Sequence, residues 1–237
     1  MNSPKLSIIT VVYNGFESIE DTLSNVCNLS YPNLNYIVID GGSEDGTQDL
    51  LKKYEPNFAQ NLISYKWISG RDSGLYDAMN KGWNMADENS YILFLGSGDK
   101  VLKLPRAVSF ENADIVYGNV WAGDYFFNSK IDIRLKLGNM LHHQALFVYK
   151  QVCPYSPFNL NYKVYADFDF NQRMLKQGKR FVKDDEFLGY ALEGGVSSIY
   201  NYKEAYAIIH QNYGWIYVCL ARVYYFLQKN IRVRLMK

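Results

Sequence analysis

Cysteine is scarce in this chain of 237 residues. Cys27, Cys153 and Cys219 stand far apart, with no metal-ligand or dithiol spacing, so neither a zinc site nor a redox pair is encoded. All three sit in apolar stretches and are expected to be buried free thiols in a reducing compartment. Long apolar runs are also missing. The longest, Trp215–Leu227, is broken by Arg222 and falls short of the roughly 18–20 residues a membrane-spanning helix needs. Met1–Lys5 leads straight into a strand-like run without the apolar core of a signal peptide, so the cytoplasmic side is expected. No excess of one charge appears: the net charge is +1, which argues against a general nucleic-acid binder. That balance is uneven along the chain. No acid follows Glu204, whereas Arg222, Lys229, Arg232, Arg234 and Lys237 accumulate there. Repeats and low-complexity linkers are absent from the sequence.

What is present reads as globular, since 48% of the residues are hydrophobic and 21% charged. The length suits one substantial core, or one core with a small subdomain. Strand-like runs cover Leu6–Val12, Leu34–Ile39, Leu62–Ile68 and Tyr91–Leu95. Between them, Ile19, Leu23 and Val26 follow a helical period, as do Leu75, Met79 and Trp83. A further helix is expected from Ser43–Gly46 through Leu51, with Ser43 and Asp45 as cap oxygens. Alternating strands and helices predict an α/β fold, Rossmann-like, with a mostly parallel sheet and right-handed crossovers. In the second half, Asp114–Trp121, Ile131–Leu137, Leu141–Tyr149 and Phe187–Ala191 are candidate strands that would make the sheet mixed. Tyr165–Lys176 and most of Tyr200–Lys229 read as helix.

Each of the first four strands ends in a polar or acidic motif: Tyr13-Asn14-Gly15, Asp40-Gly41-Gly42-Ser43, Arg71-Asp72-Ser73-Gly74 and Gly96-Ser97-Gly98-Asp99. The carboxyl ends of parallel strands open onto one crevice, where ligands bind. Asp40, Asp72 and Asp99, distant in sequence, are therefore expected to converge. Gly96 and Gly98 leave the backbone open to a ligand, and Asp99 offers a hard oxygen suited to Mg²⁺ or Mn²⁺. Asp167 and Asp169 lie two apart, so on a helix they point about 200° apart and cannot share a proton. One should face a site, the other solvent or a cap. The adjacent His142 and His143, placed on a strand, would face opposite sides.

Ser7–Asn14, Ile39–Thr47, Gly74–Gly82 and Phe94–Asp99, in that order, resemble the motifs of a family 2 glycosyltransferase with the GT-A fold. Within the family the chain is most similar to bacterial enzymes of polysaccharide assembly, of the colanic-acid type. The resemblance covers residues 5 to about 198. It implies a GT-A domain over 1–198, with a nucleotide-sugar half at 1–100 and an acceptor and catalytic half at 101–198. Residues 199–237 would form a helical, basic and aromatic extension.

The resemblance also implies roles. Thr10, Val12 and Tyr13 would line the nucleotide pocket, Asp40 would bond the base or ribose, and Arg71, Asp72, Asp77, Asn80, Lys81 and Ser97 would contact the donor. Many members carry a second aspartate where this chain has Gly41, and further acids where it has Gly96 and Gly98. Asp99 alone would hold the Mg²⁺ or Mn²⁺. In Ala166-Asp167-Phe168-Asp169, Asp167 matches the catalytic base, its pKa expected to be raised by burial, whereas Asp169 fits a helix cap better. His143, Asp169 and Gly195, the last in a glycine loop that closes over substrate in relatives, could touch diphosphate or acceptor.

The implied reaction is inverting transfer of a sugar from a nucleotide diphosphate sugar, UDP favoured, to a glycan or lipid-linked acceptor. A nucleotide-sugar-binding subunit without catalysis is the alternative, kept open by the thinned acidic motif. A sugar-phosphate nucleotidyltransferase is disfavoured, because Tyr13–Glu17 lacks the glycine-rich, lysine-bearing loop. The aromatic and basic residues from Tyr213 onward suit an amphipathic helix on the inner face of the cytoplasmic membrane, the alternative being a terminal helix packed on the core with a solvated basic end.

Overall fold

A computed structural model describes residues 3–194 and 201–235, with side chains through 228. Its first half carries β1 (Lys5–Val12), α1 (Phe16–Cys27), β2 (Leu34–Asp40), α2 (Thr47–Lys53), α3 (Glu55–Gln60), β3 (Ser64–Ser69), α4 (Leu75–Met85) and β4 (Ser90–Gly96). The second half carries β5 (Lys100–Lys103), β6 (Ile115–Ala122), β7 (Tyr125–Phe127), β8 (Leu146–Tyr149), α5 (Ala166–Lys176), β9 (Phe181–Ala191), α6 (Tyr202–Tyr213) and α7 (Trp215–Leu235). One sheet runs through both halves in the order β3-β2-β1-β4-β8-β6-β9-β5, with β7 paired to β6. β1, β2, β3 and β4 are mutually parallel, while β8 joins antiparallel to β4 and β6.

β1 and β2 are buried over nearly their whole length because helices cover both faces of the sheet. β3, on the edge, alternates between half-buried and exposed. Two apolar clusters lie on the two sides of the sheet, and both hold residues from each half of the chain. Ile208 and Ile209 of α6 and Val218 and Ala221 of α7 belong to the same cluster as Ile9 and Trp83, so these helices share that core.

Four readings change. Ile131–Leu137 is not a strand: Asp132 Oδ1 accepts from Arg134 N at 2.8 Å and opens a 3₁₀ turn at Ile133–Lys136. Only the second half of Leu141–Tyr149 is strand, after a 3₁₀ turn at His143–Ala145. β9 begins six residues before the expected Phe187, and α3, β5 and β7 carry too few residues for periodicity to announce them. Cys27 is buried, but Cys219 is exposed and Cys153 half-buried, so the thiols are free without all being core residues.

Candidate functional site

The order β3-β2-β1-β4 reverses the chain direction of progress between β1 and β4, and a crevice opens beyond the carboxyl ends of such a pair. A cleft of about 1150 Å³ lies there. Val11 and Tyr13 line it from the end of β1, Gly96, Ser97 and Asp99 from the end of β4. His142, His143, Gln144 and Asp167 come from the second half, and Tyr224, Tyr225 and Gln228 from α7. Alternation along β1 decides which of its side chains take part. Val11 faces the cleft, whereas the Thr10 hydroxyl accepts from Tyr36 in the interior and Val12 belongs to the core on the opposite side.

Asp40 is buried rather than open to a ligand. It accepts from the Ser43 hydroxyl, from Ser43 N at 3.0 Å and from the Ser69 hydroxyl at 2.5 Å. Its carboxylate thus shapes the loop after β2. That loop in turn secures the start of α1, because Asn14 N donates to Ser43 Oγ and Phe16 N to Asp45 Oδ2. Asp45 also accepts from Thr47 N at 3.1 Å, but Ser43 does not cap α2, which begins at Thr47 with Gly46 as its cap residue and no side-chain cap bond. A side chain on Gly41 would lie 2.8 Å from Asp72 Oδ2 and 3.2 Å from the Tyr13 ring, so Asp72 stands beside Tyr13 at this end of the sheet.

Asp77, Lys81 and Arg71 stabilise one another's loop. Ser73 N donates to Asp77, Lys81 Nζ pairs with Asp77 at 3.2 Å, and the same ammonium donates to the Arg71 carbonyl. Asn80 is buried and grips the backbone of Phe158 through both its amide atoms, stitching α4 to the second half.

Asp99 lies at the cleft floor. The turn at Gly98, with φ of 91°, brings its carboxylate back over Gly96, whose N–H donates to Oδ2 at 2.7 Å. Gln144 Nε2 donates to Oδ2 at 3.0 Å and Leu192 N to Oδ1 at 2.9 Å. Three of a carboxylate's roughly four acceptor directions are thereby occupied. Among the described residues no group of three or more His, Cys, Asp or Glu gathers as a metal cluster. Gln144 Oε1, in the side chain that holds Asp99, is buried without a hydrogen-bond partner. One free direction on Asp99 and this orphaned oxygen are oxygen donors of the kind Mg²⁺ and Mn²⁺ take. The set fits a cation carried mainly by phosphate oxygens and water.

Asp167, in the first turn of α5, also lines the cleft. Asn139 Nδ2 donates to its Oδ2 at 2.9 Å, the Tyr76 hydroxyl lies 3.1 Å from Oδ1, and His143 Nδ1 stands 3.9 Å from Oδ2. Its side chain keeps 16% exposure, enough to meet a ligand in the cleft. Burial pushes its carboxyl up, but His143, the Phe168 N–H and Tyr76 outweigh burial and hold it below the ordinary carboxylate range. The expected upward shift is therefore reversed. Burial beside His143 brings His142 down to about 4, while the carboxylates of Asp167 and Asp99 both pull the other way. Both histidines line the cleft, because they enter a 3₁₀ turn rather than a strand.

Asp169 does point away from Asp167, yet not to solvent. It is buried, with Arg173 Nε donating at 2.8 Å and Asn212 Nδ2 at 3.1 Å, and it does not line the cleft. Gly195 lies outside the described residues. Asn139, Tyr76 and Gln144 are site residues without an assigned role in the sequence reading. Tyr76 stands inside the Gly74–Gly82 motif and Gln144 directly follows the histidine pair, whereas Asn139 follows Ile131–Leu137, which is not a strand, and carries no local signal.

One mixed sheet with a topological switch point and a cleft lined by Asp99 and Asp167 defines an α/β fold with a ligand site at the carboxyl ends of its strands. Residues 7–155 match the model of Glycosyl transferase family 2, and the chain belongs to that family. A PGL/p-HBAD biosynthesis glycosyltransferase of Mycobacterium bovis (strain BCG / Pasteur 1173P2) is 32% identical over 189 residues, 73% of this chain and 70% of the relative. The fold is GT-A. S. aureus TarS 1–349, crystallised with UDP-GlcNAc, superposes with a TM-score of 0.62 at 16% identity, over 86% of this chain and 64% of that one. The mannosyltransferase PcManGT of Pyrobaculum calidifontis, crystallised with GDP-Man and Mn²⁺, gives 0.58 at 15% identity, over 80% and 57%. The chain thus spans under two thirds of these two solved proteins.

Proposed function

We propose that the protein is an inverting transferase that moves a sugar from a nucleotide diphosphate sugar, UDP favoured, to a hydroxyl of a glycan or lipid-linked acceptor in bacterial surface polysaccharide or glycolipid assembly. The observation that carries this is that Asp99 and Asp167, from opposite halves of the chain, line one cleft. Residues 1–100 supply the donor wall and most of residues 101–198 the acceptor wall, with 199–237 as the helical extension.

In this reading the acceptor hydroxyl gives its proton to Asp167 as its oxygen bonds to the anomeric carbon, while the bond from that carbon to the diphosphate breaks. A single displacement inverts the anomeric configuration, and no covalent intermediate forms. Because the Asp167 carboxyl is held low, it is ionised and ready to accept a proton at neutral pH. Asn139 and Tyr76 fix the two carboxylate oxygens, which orients the base. Asp99, with Gln144 beside it, would hold Mg²⁺ or Mn²⁺, which when bound supplies positive charge to the departing diphosphate. Tyr13 and Ser97, which line the cleft at the ends of β1 and β4, would meet the nucleotide, and Asp72, outside the cleft lining but beside Tyr13, would support that wall.

His143 gives this reading a pH signature. His143→Asn removes the largest influence lowering the Asp167 pKa and leaves burial, which raises it. The acid limb of the rate profile should then move to higher pH with its plateau retained. An unmoved limb would detach His143 from the base.

The donor is tested by thermal stabilisation with UDP-, GDP- and dTDP-sugars, with and without Mn²⁺. A donor at 100 times its Kd adds about 2.7 kcal/mol. UDP-sugars should give the largest rise, larger still with Mn²⁺. A GDP- or dTDP-sugar in the lead overturns the base assignment, and no rise with any donor overturns the transferase reading.

A further inference from the structure

α7 has two faces of different character. One carries the buried Val218 and Ala221 and, beside them, Tyr224, Tyr225 and Gln228 lining the cleft. The other looks outward, and its residues are apolar. Ile216 is 76% exposed, Leu220 50%, Val223 58% and Leu227 53%. Trp215 and Phe226 are exposed along one side of the same stripe. At 3.6 residues per turn, these six positions fall within about 140° of the helix circumference. Arg222 lies at the stripe's edge with its guanidinium over the Tyr206 ring. A surface helix normally turns its polar residues outward, so an outward apolar stripe marks a contact surface.

We propose that this face of α7 lies on an anionic lipid surface, so that the protein works as a peripheral membrane enzyme. Charge selects the occupant. After Glu204 the sequence has no acid, while Arg222, Lys229, Arg232, Arg234 and Lys237 bring five cations to the same stretch. Such a stretch is attracted to anionic headgroups. A second copy docked on the same stripe would bring like charges together across a twofold axis, which disfavours it. No helix among the described residues is long and apolar enough to cross a membrane, so the helix would lie in the interface.

The arrangement also places the active cleft. Tyr224 and Tyr225 line it from the opposite side of the same helix, roughly 10 Å of helix width from the lipid. A lipid-linked acceptor could then stay in the bilayer while its sugar reaches Asp167. That purpose rests on the transferase reading; the binding itself does not.

Flotation of the full chain with vesicles of phosphatidylglycerol and phosphatidylcholine in equal parts tests the proposal. The chain should float with these vesicles, at least tenfold less with pure phosphatidylcholine or at high salt. Leu220→Glu/Val223→Glu should lose flotation while keeping its melting temperature and its stabilisation by donor. Deletion of the helix is the poorer test, since Val218 and Ala221 also cover the core. Failure of the intact chain to float, or flotation of the variant equal to that of the intact chain, overturns the proposal. An intact dimer that the substitutions turn into monomers, measured by light scattering, would assign the stripe to a second copy instead. Donor stabilisation is read separately, so loss of vesicle binding leaves the transferase reading standing.

Discussion

Asp167→Asn should cost about 10²–10⁴-fold in kcat while leaving donor affinity nearly unchanged. The amide has the shape of the carboxylate and can still meet Asn139 and Tyr76, so the wall of the cleft keeps its form. What it loses is the ability to take a proton from the acceptor hydroxyl. Donor binding depends instead on the ends of β1 and β4 across the cleft. Steady-state kinetics, with donor affinity measured separately by thermal stabilisation, divides the two effects. Equal collapse of donor affinity would place Asp167 in the nucleotide site and remove it as the base.

Asp99→Ala should be damaging in two ways that can be measured apart. It strips the cleft floor of its carboxylate, and it leaves Gly96 N, Leu192 N and Gln144 Nε2 without their acceptor. A buried donor left unpaired costs about 1–3 kcal/mol, so a loss of about 3 kcal/mol is expected. For a chain of this size that lowers the melting temperature by about 6–12 °C. Transfer should fall to background, and the extra stabilisation that Mn²⁺ adds to donor binding should vanish. Persistence of that increment in the folded variant would show that the cation does not use Asp99.

The first hundred residues were legible because their signals are local. β1, β2 and β4 are continuous apolar runs closed by glycine and aspartate, and α1 and α4 repeat their apolar residues at helical spacing. Asp99 and Asp167 could be singled out the same way, since each sits at a recognisable motif. Asp40 shows where that reasoning stopped. Its position after β2 marked it as a ligand-binding group, but the structure spends its carboxylate on Ser43, Ser69 and the loop backbone. Asp169, two residues from Asp167 on α5, stays out of the cleft that Asp167 lines, as helical spacing requires. Arg173 is a neighbour one turn along α5, but the burial of Asp169 against Asn212 depends on α6, which lies far along the chain.

The order of apolar and polar residues was enough to determine the α/β class, the strands of the donor half, and the separation of Asp167 from Asp169 around one helix. These follow from backbone periodicity and from turns only a few residues long. Tertiary structure alone decided that Gln144 braces Asp99, that Asn139 and Tyr76 orient Asp167, and that α7 turns tyrosines to the cleft and an apolar stripe outward. Those outcomes depend on contacts between segments tens of residues apart. No local pattern encodes which of two faces a neighbouring element will cover.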